Sequence, residues 1–263
     1  SFDGSSDYVT TSSGNGVNLD SYTLEVWVYA NSTASYQGIL SKGSGGQEWN
    51  YPFLLWLPET EYGVENVSHS VFFSVSGATS NGGYPSLNRT VFSSAPSITL
   101  NQWHHIAITM DNTSKDAKFY LDGSLAATGT FSNDISTNSA SLEMGAYNNG
   151  SYAFNGYLDE VRIWNSVRTQ TEIQTNLNST LSGSESGLVH YWNFNEGTGA
   201  TLTDQTTNDN DGTIYGATWD TDNGVSSTSN NSFTYSPNAN YNGSDSFVYS
   251  ASDGTLSDTA TVS

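Results

Sequence analysis

The chain has 263 residues, of which 26 are acidic and 6 basic, so its formal net charge at neutral pH is −20. Such a surface is a poor partner for nucleic acid, whose phosphates are bound by Lys and Arg, and it attracts cations, calcium among them. The absence of cysteine excludes a disulfide framework and thiol chemistry. No apolar run approaches the ~18 residues of a membrane-spanning helix, so we expect no membrane insertion.

Ser, Thr, Asn, Gly and Asp dominate the composition, which favours a turn-rich β protein that is secreted or lies on a cell surface. The chain begins with SFDGSSDYV, without a basic segment followed by an apolar one. We therefore expect a mature segment, or an excised piece, of a longer extracellular protein.

Alternation of apolar and polar residues with period two recurs along the first 180 residues and predicts β-strands. In chain order, the predicted strands lie in SYTLEVWVYA, QGILSKG, SVFFSVSG, WHHIAITMD, AKFYLDGSLAATG, ASLEMGAY and FNGYLDEVRIWN. Asp122-Gly123 suits the two-residue type I′ turn of a hairpin. Only VRTQTEIQTNL has a helical pattern. The sum predicts an antiparallel all-β domain, a two-sheet sandwich or jelly roll.

The strand FNGYLDEVRIWN carries two adjacent carboxylates, Asp159 and Glu160. In an unbroken strand, Glu160 lies on the same face as Arg162, which can balance its charge. Asp159 shares the opposite face with Val161 and Ile163. Because an isolated buried carboxylate is too costly to leave unpaired, Asp159 needs loop hydrogen bonds, a cation or a place at the rim of the sheet.

The ordered set SFDGSSDYVTT, YTLEVWVYA, ILSKG, QWHHIAITMD, KFYLDGSLAATG and FNGYLDEVRIWN resembles a laminin-G-like domain of the concanavalin A-like jelly-roll superfamily. The resemblance covers residues 1 to about 180. It implies two packed antiparallel sheets, in modules that bind carbohydrate or protein within large bacterial adhesins or secreted enzymes.

Two further segments follow the predicted jelly roll of residues 1–182. Residues 183–222 resemble a piece that commonly precedes such a domain. They carry large apolar side chains, so we expect them to supply strands that pack back on the sandwich. Residues 229–263 resemble half of a cadherin-like or bacterial Ig-like repeat. Half of an Ig sandwich cannot bury its inner faces alone, so it must dock on the first domain or be completed by another chain.

The resemblance also implies a structural calcium ion near the first strand. There FDGSSD brings together Asp3, the Gly4 carbonyl and Asp7, and we add Asp159 to this candidate metal site. Calcium takes six to eight oxygen ligands, so carboxylates mixed with backbone carbonyls suit it. The alternative is a network of turn-capping aspartates without a metal.

A candidate ligand site is predicted at one end of the sandwich. The pentraxins share this fold and hold calcium in two loops that correspond here to GQEWN and AYNNGSY, although the second loop offers amides where a metal prefers carboxylates. Aromatic rings beside amides and a carboxylate suit sugar binding, because rings stack on pyranose faces while polar groups bind hydroxyls. The expected ligand-binding residues are Gln47, Glu48, Trp49, Asn50, Tyr51, Tyr147, Asn148, Asn149 and Tyr152. The alternative is that these aromatics only cover sheet edges.

No catalytic residues are predicted. Glu59, Glu61 and Glu65 follow a proline and straddle a glycine, which favours a loop over the shared strand face that glycosidase carboxylates need. His104 and His105 point to opposite faces of a strand and cannot hold one metal together.

Three functions therefore stand in order. The first is a non-catalytic extracellular adhesion module that recognises glycans or cell-surface glycoproteins, with calcium as a structural support. The second is a structural subunit of a fibre or tandem-domain stalk that exchanges strands with neighbouring copies of itself. The third is a polysaccharide-active enzyme.

Overall fold

The computed structural model describes residues 1–12, 19–33, 36–44, 50–57, 71–74, 92, 96–131, 134–135, 137–220, 247–252 and 257–262. The chain divides into two compact units, Ser1–Ser229 and Asn230–Ser263.

The described residues form sixteen strands and one helix. In chain order they are β1 (Phe2–Asp3), β2 (Tyr8–Thr11), β3 (Tyr22–Ala30), β4 (Gln37–Ser44), β5 (Asn50–Leu57), β6 (Phe72–Ser74), β7 (Trp103–Asp111), β8 (Asp116–Leu121), β9 (Ser124–Thr130), β10 (Leu142–Met144), β11 (Asn155–Trp164), α1 (Gln170–Asn176), β12 (Leu188–Trp192), β13 (Thr201–Leu202), β14 (Gly212–Tyr215), β15 (Phe247–Ser252) and β16 (Ser257–Val262).

The first unit is built from two antiparallel sheets, which confirms the predicted jelly-roll class. Sheet A has the order β1-β11-β3-β7-β8-β9, with β12 also paired to β11. Sheet B has the order β13-β14-β2-β10-β4-β5-β6. Consecutive neighbours lie far apart in the chain, so most of the pairing is long-range.

The core lies between the two sheets. From sheet A it takes the predicted alternating faces of β3 and β7, such as Val26 and Ile106, both fully buried. From sheet B it takes Leu40, Met144 and Phe73. Each strand thus turns every second side chain inward, as the period of the sequence predicts.

Local signals in the sequence are also confirmed. Asp122 and Gly123 have φ of 49° and 73°, and Leu121 pairs with Ser124 across them, as a type I′ hairpin requires. The helix α1 begins with a capping box between Thr169 and Glu172. Within the described parts of the chain, no helix has the length and apolarity to cross a membrane.

The expected faces of β11 are wrong beyond Asp159. Glu160 has φ of 51°, and the register with β3 shifts between Asp159 and Arg162. This bulge inserts one extra residue and reverses the alternation. Val161 and Ile163 consequently point into the core, and Asp159 does not share their face.

Strands from residues 188–215 belong to both sheets of the first unit. In sheet A, β12 pairs with β11 through Val161–Trp192 and Ile163–His190. In sheet B, β14 pairs with β2 through Ile214–Val9. The side chains of Trp192 and Leu202 are fully buried in the core. In the second unit, β15 and β16 form an antiparallel pair.

Candidate ligand-binding face

The outer face of sheet B carries a row of side chains that look away from the core. Register pairs link Thr213 to Thr10, Thr10 to Glu143, Glu143 to Ser41 and Ser41 to Leu54. Paired residues point to the same side of an antiparallel sheet, and successive residues alternate. Their chain neighbours are core residues, so this row faces outward. We call the aromatic side chains along it the aromatic face: Tyr8, Tyr215, Tyr147, Tyr152, Trp56 and Tyr36.

Tyr8 and Tyr215 form one end of the aromatic face. They are register partners on β2 and β14, and their rings stack with centroids 4.8 Å apart and planes 10° apart. Tyr215 is 47% exposed, which is high for a ring of this size. A flat, exposed aromatic surface of this kind can pack against the apolar face of a sugar ring.

Tyr147 and Tyr152 form the other end. Their rings stack with centroids 4.3 Å apart and planes 5° apart, and they pack with Leu54 and Trp56 in a cluster separate from the core. Tyr36 lies edge-on to Tyr152 at 6.5 Å. Tyr147 is buried, whereas Tyr152 is half-buried, so Tyr152 is the ring of this pair with more surface free for a ligand.

A tight turn at residues 148–150 lies between the two stacked pairs. Asn148 and Asn149 both have positive φ, 59° and 56°, a conformation that asparagine tolerates better than most residues. Glu143 anchors the turn, because its carboxylate accepts the backbone N–H of Asn149 at 2.9 Å and of Gly150 at 3.4 Å. Burial raises the pKa of Glu143, against the effect of these two hydrogen bonds.

Two glycines let this turn lie directly on the sheet. A Cβ on Gly38 would come within 2.4 Å of the backbone carbon of Ala146. A Cβ on Gly150 would come within 2.8 Å of the Tyr8 ring. The turn is therefore packed against the aromatic face at both of its ends, and its amide side chains are carried on a rigid support.

The structure brings together four of the nine predicted ligand residues: Tyr147, Asn148, Asn149 and Tyr152. Gln47, Glu48 and Trp49 lie outside the described residues. Asn50 and Tyr51 begin β5, where Asn50 pairs with Ser44. The ligand role of all nine stays a prediction.

Sequence reasoning missed several members of the aromatic face, chiefly Tyr8, Tyr215 and Trp56, and it missed Glu143. Tyr8 and Tyr215 lie on short alternating strands that the sequence does reveal. What it does not reveal is that these strands, about two hundred residues apart in the chain, are register partners. Glu143 could have been noticed as a lone carboxylate in a strand that is otherwise apolar.

The four predicted calcium ligands do not converge. Asp3 pairs with Asn155 on β11, four residues from Asp159, which is about 13 Å along a strand. Asp7 Oδ2 accepts the backbone N–H of Asp3 at 3.0 Å, and Asp3 Oδ1 accepts that of Ser5 at 2.8 Å. Gly4, at φ of 81°, completes this turn.

These contacts are those of turn-capping aspartates. Among the described residues, no group of three or more His, Cys, Asp or Glu side chains is arranged to hold a metal ion. The four residues therefore do not fit a calcium site with its six to eight oxygens, and we derive no role for an ion from them. Calcium support stays a prediction.

Glu160 is balanced as the sequence predicts. Arg162 Nη2 lies 2.5 Å from Glu160 Oε2, and the Tyr191 hydroxyl donates to the same carboxylate at 2.9 Å. Arg162 also lies 3.7 Å from Glu25, whose other charged neighbours are His105 at 3.3 Å and Arg168 at 3.8 Å. This buried ionic cluster lies on the outer face of sheet A.

The cluster is structural, because it attaches the segment around α1 to sheet A. Arg162 donates to the carbonyls of Asn176 at 2.7 Å and Ser179 at 2.8 Å. Burial alone would raise the pKa of Glu25, but its contact with His105 and the charges of Arg162 and Arg168 hold that pKa below its ordinary value.

Comparison with known proteins begins with two family models. The model described as the concanavalin A-like lectin/glucanases superfamily matches residues 3–174, and the model for a bacterial Ig domain matches residues 190–263. The second match overlaps residues 190–215, which the structure places in the sheets of the first unit. No curated protein matches the chain.

Solved structures with the same fold include three from different organisms. A Bacteroides ovatus ATCC 8483 protein, to which carbohydrate binding is attributed, is 21% identical with a TM-score of 0.60 and 82% of the present chain covered. The present chain spans only 57% of that protein. A heptameric pentraxin from Limulus polyphemus is 15% identical, with a TM-score of 0.47 and coverage of 67% and 79%.

The third structure is the CBM40 module of a Ruminococcus gnavus sialidase bound to sialyllactose. It is 14% identical, with a TM-score of 0.45, and the match covers 66% of the present chain and 95% of the module.

Proposed function

Since this chain belongs to the concanavalin A-like lectin/glucanases superfamily, we propose that it is a non-catalytic, extracellular carbohydrate-binding module. The observation that carries the proposal is the aromatic face, where two stacked tyrosine pairs flank the Asn148–Asn149 turn. Rings supply flat apolar surfaces for pyranose rings, and amide side chains supply hydrogen bonds to hydroxyls. The carbohydrate binding attributed to the Bacteroides ovatus protein supports the same function.

The ligand class that this face favours is a neutral or cationic glycan. The chain carries a net charge of −20, and Glu143 places a carboxylate beneath the turn. Sulfated or sialylated glycans would meet repulsion from this field at low salt. An adhesive role towards cell-surface glycoproteins is part of the proposal, and so is a location outside the cell, which is typical of laminin-G-like and Ig-like domains.

The test is a glycan array, followed by calorimetry on the glycans that bind. The informative variant is Tyr215→Ala, which removes an exposed ring at little cost in packing. Leu125→Ala is its matched control, because Leu125 is also 47% exposed but lies on β9 of sheet A. We expect Tyr215→Ala to weaken binding at least about tenfold, as loss of a stacked ring does, and Leu125→Ala to leave it unchanged. Equal effects of the two variants, or an array without binding, would contradict the proposal.

The calcium prediction is tested in the same array with and without EDTA. Binding that is lost on chelation and restored by added calcium supports an ion. Binding that survives EDTA contradicts it, and the turn-capping hydrogen bonds of Asp3 and Asp7 then suffice. A reducing-sugar assay over a panel of polysaccharides tests the non-catalytic assignment, for which we expect no product.

A second candidate function is a structural subunit of a fibre or tandem-domain stalk. The observation that favours it is the pair β15–β16, which has no third strand among the described residues. A two-stranded hairpin is marginal by itself, and its edges can pair with another chain. Light scattering over a range of concentrations tests this function. We expect oligomers that grow with concentration, and a monomer throughout would exclude strand exchange.

A further inference from the structure

A small cleft opens beside the amino terminus of the first unit, away from the aromatic face. Its volume is about 50 Å³. Residues from both sheets line it, Leu158 and Asp159 from β11, Val9 from β2 and Ile214 from β14, together with the segment 217–220. Four aromatic side chains form most of the remaining wall: Trp103, Tyr157, Phe194 and Trp219.

Phe194 is held in an unusual backbone conformation at this wall. Its φ is 53°, which is rare for a bulky side chain and carries a conformational cost. Trp219 is fixed by a hydrogen bond from its indole N–H to the Gly199 carbonyl at 2.9 Å. The aromatic wall is therefore a defined surface.

The cleft is also strongly acidic. Asp159 and Asp220 belong to its lining, and Asp7 acts on the same place, because all three carboxylates influence the α-amino group of Ser1. That group donates to the Thr218 carbonyl at 2.8 Å. The structure thus places a primary ammonium group among three carboxylates, and its contacts stand for those of any primary alkylammonium.

The size of the cleft restricts what else can enter. A volume of about 50 Å³ is less than two water molecules occupy in the liquid, at roughly 30 Å³ each, and far below pockets that enclose whole small molecules. A sugar ring does not fit, but the end of a slender side chain does. Lysine combines an apolar stem, which can lie along aromatic rings, with a terminal ammonium group.

We propose that this cleft is a docking subsite for the lysine side chain of a basic protein partner. The aromatic wall receives the stem and the ammonium group, and the three carboxylates supply the counter-charge. The net charge of −20 steers a basic partner toward the surface before contact. The subsite is independent of the carbohydrate-binding face.

The α-amino group of Ser1 is a competitor for the same carboxylates. Burial lowers its pKa from the ordinary 8.0, against the opposing effect of Asp220, Asp7 and Asp159. The other titratable group that faces it is the Tyr157 hydroxyl, whose pKa is raised by burial and by Asp220. Ser1 consequently loses its charge at a lower pH than a lysine side chain, whose ordinary pKa is near 10.4.

The first test measures binding of n-butylammonium, which copies the end of a lysine side chain, and of 1-pentanol, its uncharged counterpart. Trp103 and Trp219 line the cleft, so tryptophan fluorescence and NMR shifts report on it. We expect the ammonium to bind at least about tenfold more tightly than the alcohol, and its affinity to increase as pH rises through the pKa of Ser1. Equal affinities, or no binding of either probe, would overturn the proposal.

Variants localise the effect. Asp220→Asn is expected to weaken n-butylammonium binding about fivefold or more, and Asp159→Asn likewise. Asp134→Asn is the control, since Asp134 is 86% exposed and paired with Lys115. Acetylation of the Ser1 amine removes the competitor and should strengthen binding. An unchanged affinity in both cleft variants, each checked for native circular dichroism, would place the ammonium elsewhere and overturn the assignment.

A last comparison separates protein from carbohydrate partners. A peptide with one lysine should bind more tightly than the same peptide with norleucine, and D-glucosamine should bind more weakly than n-butylammonium, because its ring cannot enter. Tighter binding of glucosamine would overturn the lysine assignment. Tyr215→Ala should leave all of these affinities unchanged, so failure here is distinct from failure of the carbohydrate proposal.

Discussion

At the scale of single residues, the adjacent carboxylates Asp159 and Glu160 are accommodated in two different ways. Glu160 takes a positive φ and turns toward Arg162 and Tyr191. Asp159 accepts the backbone N–H of Glu160 at 2.9 Å and lies at the rim of the acidic cleft. The bulge that separates them lets one short segment satisfy two buried acids without placing either in the apolar core.

Arg162 is the residue on which the buried ionic cluster depends most. Its side chain is 1% exposed and contacts both Glu25 and Glu160. We expect Arg162→Ala to lower the free energy of unfolding by about 3–5 kcal/mol, because it leaves two buried carboxylates without their main partner. Urea unfolding measures this. The control Lys118→Ala, an exposed cation on β8, should cost less than about 0.5 kcal/mol, and similar losses in both variants would contradict a structural role for the cluster.

Asp204 makes stability depend on pH in the acid range. Its carboxylate accepts from His190 Nδ1 at 2.6 Å and from the backbone N–H groups of Tyr191, Thr206 and Asn210. Burial alone would raise its pKa, but these hydrogen bonds hold the pKa of Asp204 below its ordinary 3.8. A carboxyl group whose pKa falls on folding stabilises the fold above its unfolded pKa, and that stabilisation is lost as pH falls through the folded pKa.

We therefore expect the stability of the chain to decrease as pH falls below about 4, with Asp204 and Glu25 contributing in the same direction. Asp204→Asn should be less stable than the natural chain at pH 7, and the difference should narrow as pH is lowered. Urea unfolding at several pH values measures it. A difference that stays constant down to pH 2 would show that Asp204 is not the titrating group.

At the scale of elements, the ligand-facing turn at residues 146–152 is shaped by the strand beneath it. Its backbone lies on Gly38, where a methyl group would meet the Ala146 carbon at 2.4 Å. We expect Gly38→Ala to cost about 1–3 kcal/mol through overpacking and to weaken glycan binding by displacing Asn148 and Tyr152. Gly199→Ala, where a Cβ meets nothing within 4 Å, should leave glycan binding intact, and equal binding losses would contradict this link.

Local patterns predicted most of the individual elements but not their partners. The alternation in β3 and β7, the Asp122–Gly123 turn and the helix at Gln170–Asn176 follow from short-range propensity, and all are present. The bulge at Glu160 has no local signal, because no glycine marks it. The stacking of Tyr8 on Tyr215 depends on register between distant strands, which a single sequence does not encode in any local pattern.

At the scale of the whole molecule, the boundary of the first unit is a question of which strands complete the two sheets. The resemblance to a laminin-G-like domain ends near residue 180, yet Trp192 and Leu202 are fully buried in the core. Residues 188–215 also cover the free edges of β11 and β2. These strands contribute apolar surface that a shorter domain would expose to water.

Truncated chains test this boundary. A chain of residues 1–229 should unfold in one cooperative transition, because it contains every strand of both sheets. A chain of residues 1–182 should lose that transition and bind a hydrophobic dye, since it lacks β12, β13 and β14. Calorimetry and dye fluorescence measure the two outcomes. A cooperative transition in the shorter chain would show that residues 183–222 are dispensable for the sandwich.

The account as a whole depends on the claim that carbohydrate binds on the outer face of sheet B. The most direct measurement is an NMR titration of the isotopically labelled chain with a glycan identified on the array. We predict that the largest shifts fall on Tyr8, Asn148, Tyr152 and Tyr215, with little change in sheet A. Shifts confined to sheet A, or to the segment 217–220 beside the acidic cleft, would contradict it.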